Sequence, residues 1–517
     1  MSRLTHAVAG LLAVQFSCSL PQAGRIGNVS ATPAQLFSDR PPEYWPTTEW
    51  RYSTPEQQGV SSRALADAVE HATENKIPIH SLFVVRHGYV VLDATFYPFV
   101  TGRRHDLASV TKSITSLAIG AAVQHKVFTS AASPVLGLLH MQPSAPDDRK
   151  QRITVADLLG MQSGLDCGFR SGEIELHAML KQRDWVHSVL DLPMRSESGT
   201  DFGYCSGNYH LLSAAIRSIT GEPEEAFARK RLFEPLGITD IRWPADSVGN
   251  SHGWGDLQLL PSDLAKLGFL MLHGGSWNGE QLVGREWIIW STKPRIKYGD
   301  SFYARGWWTH PDSPPGFYEA IGRGGQRLSV WPEKDLVVVM LGGGYSPGEL
   351  SPILLRSLVA DTSLPPDPDG NKRLRALVTR AMQPPLPKHV SESTCANTAV
   401  TQRFIVAENP MDLRSFQLGF PSPDSAHIDI RVGRLALSLP IGLDGTYRYA
   451  QTTIEGLPPA AKGEWRNDCT FSLELNLVGK IDTYQMDMTF AGTNANVRIL
   501  ERTGLLKYET TATAQPR

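Results

Sequence analysis

Ser109-Val110-Thr111-Lys112 holds a nucleophile and a base at a spacing that lets them work together. On a helix, residues three apart share a face, one turn apart. The Ser109 hydroxyl and the Lys112 amine therefore meet if this segment is helical. A serine hydroxyl is a weak nucleophile until a base takes its proton, and a neutral lysine can be that base. Lysine loses its charge near neutral pH only when it is desolvated or set near other positive groups. The residues that follow, SITSLAIGAAV, read as an apolar, small-residue helix suited to burial. Ser109 would then sit at the helix N-terminus, where free N–H groups and the dipole favour developing negative charge.

Other catalytic signatures fail. No Gly-x-Ser-x-Gly elbow is present. Gly299-Asp300-Ser301 has the Gly-Asp-Ser pattern of one lipase class, but it lies late in the chain and is not expected to follow a strand. His252, beside Gly253-Trp254-Gly255, reads as a structural turn more than a pocket residue. No Cys-x-x-Cys and no His-Glu-x-x-His occurs, so no structural zinc site, zinc protease or other metal centre is expected. The five cysteines, Cys18, Cys167, Cys205, Cys395 and Cys469, are too few for a disulfide scaffold. Cys395 and Cys469 share the last segment and could bridge, although spacing does not fix connectivity. Cys205 reads as a buried small apolar residue.

The elements that must hold Ser109 and Lys112 are legible around them. Ser81 to Phe96 is two β-rich runs about His87-Gly88, which reads as a hairpin. Arg327 to Gly342 repeats the pattern, with LSVW, a Pro-Glu-Lys-Asp turn and LVVVML. Between these hairpins, Ser109–Val123, Val155–Leu159, Tyr209–Ile219 and Ser262–Leu272 carry apolar residues at helical spacing. The expectation is one antiparallel sheet built from the two ends of a domain, with helices inserted between. Pro-rich LPPDPDG and QPPLPK then flank one charged, helix-like stretch, and the whole reads as a linker over 363–393. Beyond it the period changes to two, in HIDIRV, LALSLP, FSLELNLV and YQMDMTF. That alternation predicts a small all-β domain over 394–517.

Composition narrows the field without choosing a chemistry. The 517 residues are 41% hydrophobic and 20% charged, ordinary values for a globular chain of several domains. Lys+Arg is 50 against Asp+Glu 52, so nothing favours a nucleic-acid partner. The N-terminus reads as an export signal over 1–24. Arg3 is followed by the apolar run Ala7 to Phe16, which is too short to span a bilayer, and then by small residues. Gln15-Phe16-Ser17 is a poor lipobox, so a lipid anchor on Cys18 is not favoured. No other segment is a transmembrane candidate, and the expected localisation is periplasmic or secreted.

Several segments, in order, resemble the serine β-lactamase-related hydrolases of the class C type, whose superfamily includes penicillin-binding DD-peptidases, esterases and aminohexanoate-dimer hydrolases. They are Pro55-Glu56-Gln57-Gln58-Gly59, the Ser109–Lys112 tetrad, Ile153 to Leu159 with Ser163-Gly164-Leu165, Phe202-Gly203-Tyr204-Cys205-Ser206 with Tyr209, Ser262-Asp263-Leu264-Ala265, Gly306-Trp307-Trp308, and Ala320 to Gln326. The resemblance covers about 45–362. It implies an α+β, β-lactamase/transpeptidase-like fold: an antiparallel sheet flanked by helices, with a helical subdomain, here followed by the all-β domain.

It also implies roles. Ser109 would form an acyl-enzyme, Lys112 would take its proton, and Tyr204 would relay protons to the leaving group and later activate water. Ser206 stands where the family often has asparagine, and Tyr-x-Ser resembles the esterase and nylon-oligomer hydrolase branches. Ala320-Ile321-Gly322 aligns with the family's Lys-Thr-Gly strand but lacks the cation that helps hold a substrate carboxylate; Arg323, one residue on, could compensate. The N–H of Arg323 would join that of Ser109 in an oxyanion hole. Ser206, Ile321, Gly322, Arg323 and Trp307 are thus the expected substrate-binding residues. The function implied is cleavage of an ester or amide in a small acyl substrate, without cofactor. The competing readings are a β-lactamase or DD-peptidase, and a non-catalytic binding or sensor protein on the same fold.

Overall fold

The computed structural model describes residues 36–168, 174–311, 313–390, 393, 395, 402–467 and 469–515. The expected export signal and Cys18 lie outside the described residues. The described residues form two compact units, one of residues 36–96 with Val100–Ala381, the other of Tyr97–Phe99 with the described residues from Met382 onward.

In the first unit, β1 (Ile79–Arg86) and β2 (Tyr89–Thr95) form a hairpin. His87 and Gly88 turn it with φ of 52° and 80°, the left-handed pair that a two-residue hairpin loop requires. The sheet continues with β3 (Ile296–Tyr298), β4 (Ser301–Tyr303), β5 (Trp308–Thr309), β6 (Tyr318–Gly322), β7 (Gln326–Trp331) and β8 (Leu336–Gly342). Its eight strands run in the order β2-β1-β8-β7-β6-β5-β4-β3, and every pairing is antiparallel. The first and last hairpins close on each other, with Leu82 opposite Met340 and Val84 opposite Val338. Both β1 and β8 are buried along their whole length, which is why they read as continuous apolar runs.

Helices flank this sheet: α1 (Ser62–Glu74), α2 (Val110–Gln124), α3 (Ser206–Thr220), α4 (Pro261–Leu272) and α5 (Pro368–Ala381). The Ser61 hydroxyl caps α1 by accepting the Ala64 N–H at 3.3 Å. The stretch read from sequence as linker contains α5, and α5 packs in the first unit. Arg373 reaches Asp67 and Glu70 of α1, each at 2.6 Å, and the Asn371 amide donates to Glu56 at 2.6 Å. Its charges therefore lie against α1 rather than spacing two domains.

The second unit is all β. Its strands are β9 (Phe404–Val406), β10 (Leu413–Ser422), β11 (Ser425–Val432), β12 (Leu435–Gly442), β13 (Arg448–Tyr449), β14 (Pro459–Asn467), β15 (Thr470–Leu477), β16 (Thr483–Ala491), β17 (Asn494–Glu501) and β18 (Lys507–Ala514). They form one sheet in the order β12-β11-β10-β9-β18-β17-β16-β15-β14-β13, and a parallel pairing of β12 with β14 closes it into a barrel. Closure removes the exposed edges that an open sheet would leave. Phe404, Phe416, Trp465, Phe471 and Phe490 fill the interior. Cys395 and Cys469 are bridged, with Cα atoms 5.1 Å apart.

Candidate active site

Ser109 is the N-cap of α2, and Lys112 lies one turn into it. The Lys112 Nζ is 2.9 Å from the Ser109 Oγ and donates to the Trp254 carbonyl, also at 2.9 Å. Lys112 is only 2% exposed, and its Nζ sits 5.0 Å above the centre of the Tyr204 ring. The expected serine–lysine pair is thus formed, with the tyrosine against the lysine.

α2 is held by polar side chains that its sequence hides among apolar ones. Ser113 donates to the Gly306 carbonyl at 2.5 Å, Thr115 to that of Gly253 at 2.7 Å, and Ser116 to that of Arg305 at 2.8 Å. Each small hydroxyl satisfies a loop carbonyl that burial would otherwise leave unpaired. The Trp287 indole N–H donates to the Ser116 carbonyl at 3.0 Å. Gly120 admits that tryptophan, since a Cβ there would lie 2.4 Å from its ring. On the approach to Ser109, Ala108 has φ of 46°, a left-handed conformation costly for alanine. Asp106 accepts the Ala108 N–H at 2.7 Å and fixes that bend. Backbone strain of this kind concentrates at functional sites, where surrounding structure over-determines it.

The glycine-rich run is the tight turn between β6 and β7. Gly322 pairs with Gln326, and Arg323–Gly325 makes the turn, with Gly324 and Gly325 at φ of 76° and 94°. β6 pairs with β5 through Glu319 and Trp308 and lies inside the sheet, not at its edge. The Gly322 end passes directly against the residues before Ser109: a Cβ on Gly322 would lie 2.6 Å from the Leu107 carbonyl oxygen. The backbone N–H of Arg323 is the next along the chain from that contact. Ile321 and the Arg323 side chain are half-buried, and Ala320 is buried.

Tyr204 lies in an extended segment just before α3. The Gly203 N–H donates to the Met161 carbonyl at 2.8 Å, and the Cys205 N–H reaches the Met161 sulfur at 3.3 Å. Ser206 opens α3 and is buried. Tyr209 fastens the helix from within: its hydroxyl donates to the Leu159 carbonyl at 2.9 Å and lies 3.0 Å from that of Tyr303. Burial pushes both phenols well above the ordinary tyrosine range, so they stay neutral.

Three sequence expectations are corrected. Trp307 is 0% exposed and packs edge-on against Tyr318 in the core, so it does not line a pocket. Its neighbour Trp308 is the half-buried one, lying nearly parallel to Tyr204 with centroids 6.4 Å apart. Cys205 is not a free apolar cysteine: it is bridged to Cys167, with Cα atoms 5.5 Å apart. Gly299-Asp300 does follow a strand, forming the turn from β3 into β4. Ser301 there is 3.0 Å from His310 Nδ1, and His310 Nε2 is 2.8 Å from Glu319.

His252 is buried in the loop that carries Trp254. It bonds Asp256 at 2.8 Å, and its ring is 4.6 Å from that of Trp185 and 5.7 Å from that of Trp254. Glu224 lies below this loop, where a Cβ on Gly253 would meet its carboxyl oxygen at 3.1 Å. Burial raises its pKa to about 8, against the opposing pull of the Ser213 and Thr115 hydroxyls. The sequence did not reveal the Trp254 carbonyl, because a backbone acceptor has no side-chain signature. Tyr298, 5.3 Å from Phe202 and 6.3 Å from Trp308, likewise carries no motif.

The family model described as Beta-lactamase matches residues 63–350, more than half of the chain. The chain belongs to this family. Among relatives, it is 25% identical over 292 residues to a 6-aminohexanoate-dimer hydrolase of Paenarthrobacter ureafaciens, covering 51% of this chain and 73% of that protein. It is 21% identical over 285 residues to a Bacillus subtilis (strain 168) protein named as the penicillin-binding protein PbpX, covering 48% and 68%. Among solved structures, EstCE1, described as a hydrolase with promiscuous acyltransferase activity, aligns at 16% identity with a TM-score of 0.48, covering 58% of this chain and 99% of that one. The beta-lactamase-family match spans Ser109, Lys112, Tyr204 and the β6–β7 turn. No helix among the described residues is long and apolar enough to cross a membrane.

Proposed function

We propose that this beta-lactamase-family hydrolase is an exported enzyme that cleaves esters or amides of small, uncharged acyl substrates through a Ser109 acyl-enzyme. The reading rests on one observation: Lys112 Nζ is 2.9 Å from Ser109 Oγ at the N-terminus of a buried helix, with Tyr204 against the lysine. Lys112 takes the hydroxyl proton as Ser109 Oγ bonds to the acyl carbon. The resulting oxyanion lies between the N–H groups of Ser109 and Arg323. As the tetrahedral intermediate collapses, Tyr204 passes a proton to the leaving oxygen or nitrogen. Water, losing its proton to the same tyrosine, then attacks the acyl carbon; the bond to Ser109 Oγ breaks as Lys112 returns to it the proton taken earlier, which frees the enzyme for another cycle.

Two features support an uncharged substrate. The position of the family's cation is Ala320, which is buried. The side chains beside Tyr204, namely Phe202, Tyr298 and Trp308, form an aromatic surface suited to an apolar or aryl group. The amide branch draws support from the aminohexanoate-dimer hydrolase relative. Export draws support from the Cys167–Cys205 and Cys395–Cys469 bridges, since disulfides persist in oxidising compartments. The test compares nitrophenyl acetate and butyrate with a chromogenic cephalosporin. Ester turnover with little cephalosporin turnover is expected. The reverse would replace this reading with a β-lactamase.

A further inference from the structure

The Cys167–Cys205 disulfide ends one residue from Tyr204. We propose that it is a positioning element for Tyr204, holding the tyrosine against Lys112 for proton transfer. This rests on the proton-relay reading of Tyr204 given above.

The local structure makes the two halves of the site unequal. Ser109 and Lys112 stand on a buried helix clamped by Ser113, Thr115, Ser116 and Trp287. Tyr204 stands on residues 202–205, which have no helix or strand hydrogen bonding of their own. That segment is tied to Met161 through Gly203 and Cys205, and to Arg195, whose guanidinium donates to the Phe202 carbonyl at 3.3 Å. The disulfide adds a covalent tie to the loop that follows Ser163-Gly164-Leu165, across 38 residues of chain. That loop is itself anchored, because the Asp166 N–H donates to the Pro193 carbonyl at 2.9 Å and the Arg195 N–H to that of Gly164 at 2.7 Å. Cutting the bridge removes the one covalent tie of the Tyr204 segment, loosening its hold by the hydrogen bonds that remain, and touches none of the contacts that clamp Ser109 and Lys112.

The chemistry turns this asymmetry into a readout. A fluoride or nitrophenolate leaves as an anion and needs no proton. An alkoxide or amine needs one from Tyr204. Displacing the relay should slow reactions with poor leaving groups far more than acylation by good ones; a misplacement of ~1 Å can cost about 10²-fold.

The experiment uses full-length Cys167→Ser, Cys205→Ser and the double variant, with Cys395→Ser/Cys469→Ser as control. It also uses wild type reduced by dithiothreitol, where the dithiol gives up two electrons and two protons, closing to its own disulfide as the protein gains two thiols. Fluorophosphonate labelling of Ser109 should stay stoichiometric. Turnover of an ethyl ester or anilide should fall about tenfold or more relative to nitrophenyl-ester acylation. The single and double variants should match, and reoxidation should restore the wild type. Equal loss on all substrates, in proportion to lost label, would overturn the proposal and leave the bridge purely structural; so would unchanged turnover. An untreated protein that takes no label at Ser109 would overturn the underlying reading as well.

Discussion

Gly322→Ala tests the placement of the β6–β7 turn against the nucleophile. Gly322 has φ of −125° and ψ of 154°, an extended conformation that alanine adopts freely, so the change acts through space rather than through backbone preference. The added methyl would sit 2.6 Å from the Leu107 carbonyl oxygen and 3.2 Å from the Ala108 Cβ, where ordinary contact begins at 3.4 Å. Relief requires about 0.8 Å of separation between β6 and the 107–108 bend. Arg323 moves with the strand and Ser109 with the bend. An oxyanion donor at about 2.9 Å would then recede to about 3.7 Å, beyond a useful hydrogen bond. Losing one such donor costs about 10²–10³ in kcat, or about 2.7–4 kcal/mol. Overpacking should also cost about 1–3 kcal/mol of stability, so assays belong well below the variant's Tm. Stopped-flow acylation by nitrophenyl butyrate reads the effect directly. Acylation within about threefold of wild type in the folded variant would refute the pairing of Arg323 with Ser109.

Further outcomes follow from the same geometry. Lys112→Ala should lower acylation by about 10²–10⁴-fold with circular dichroism unchanged; a burst of wild-type amplitude and rate would remove the lysine from its role. Trp307→Ala should cost about 3–5 kcal/mol in urea unfolding, whereas Trp308→Ala should cost less and raise KM for aryl esters; the opposite ranking would contradict the placement of the two rings. Glu224 binds its proton more tightly folded, with a pKa of about 8, than unfolded, near 4.5. Its contribution is therefore full below pH 4.5 and is lost as pH rises toward about 8, at up to ~1.4 kcal/mol per pH unit. Glu224→Gln should flatten that decline, and parallel wild-type and variant curves would show that Glu224 does not cause it.

The sheet was legible because its central strands are buried on both faces. The runs SLFVVR and LVVVML announce themselves, and β1 and β8 do pair. The helix of Ser109 was legible for the same reason, through its small apolar residues. What stayed hidden depended on contacts distant in sequence. Trp307 and Trp308 are adjacent, but only Trp308 belongs to β5, which Trp307 immediately precedes. Periodicity over a two-residue strand could not say which side was core. Cys167 and Cys205 lie 38 residues apart, with no spacing rule to join them. α5 looked like linker because its charges are on view in the sequence, while their partners Asp67 and Glu70 lie about 300 residues earlier.

The central claim is that Ser109 forms the acyl-enzyme. The direct measurement is peptide mapping by mass spectrometry after a fluorophosphonate probe, on wild type and Ser109→Ala. A single adduct on the peptide carrying Ser109, absent from the variant, is predicted. Equal labelling of both proteins, or an adduct on Ser301 of the Ser301–His310–Glu319 chain, would contradict it.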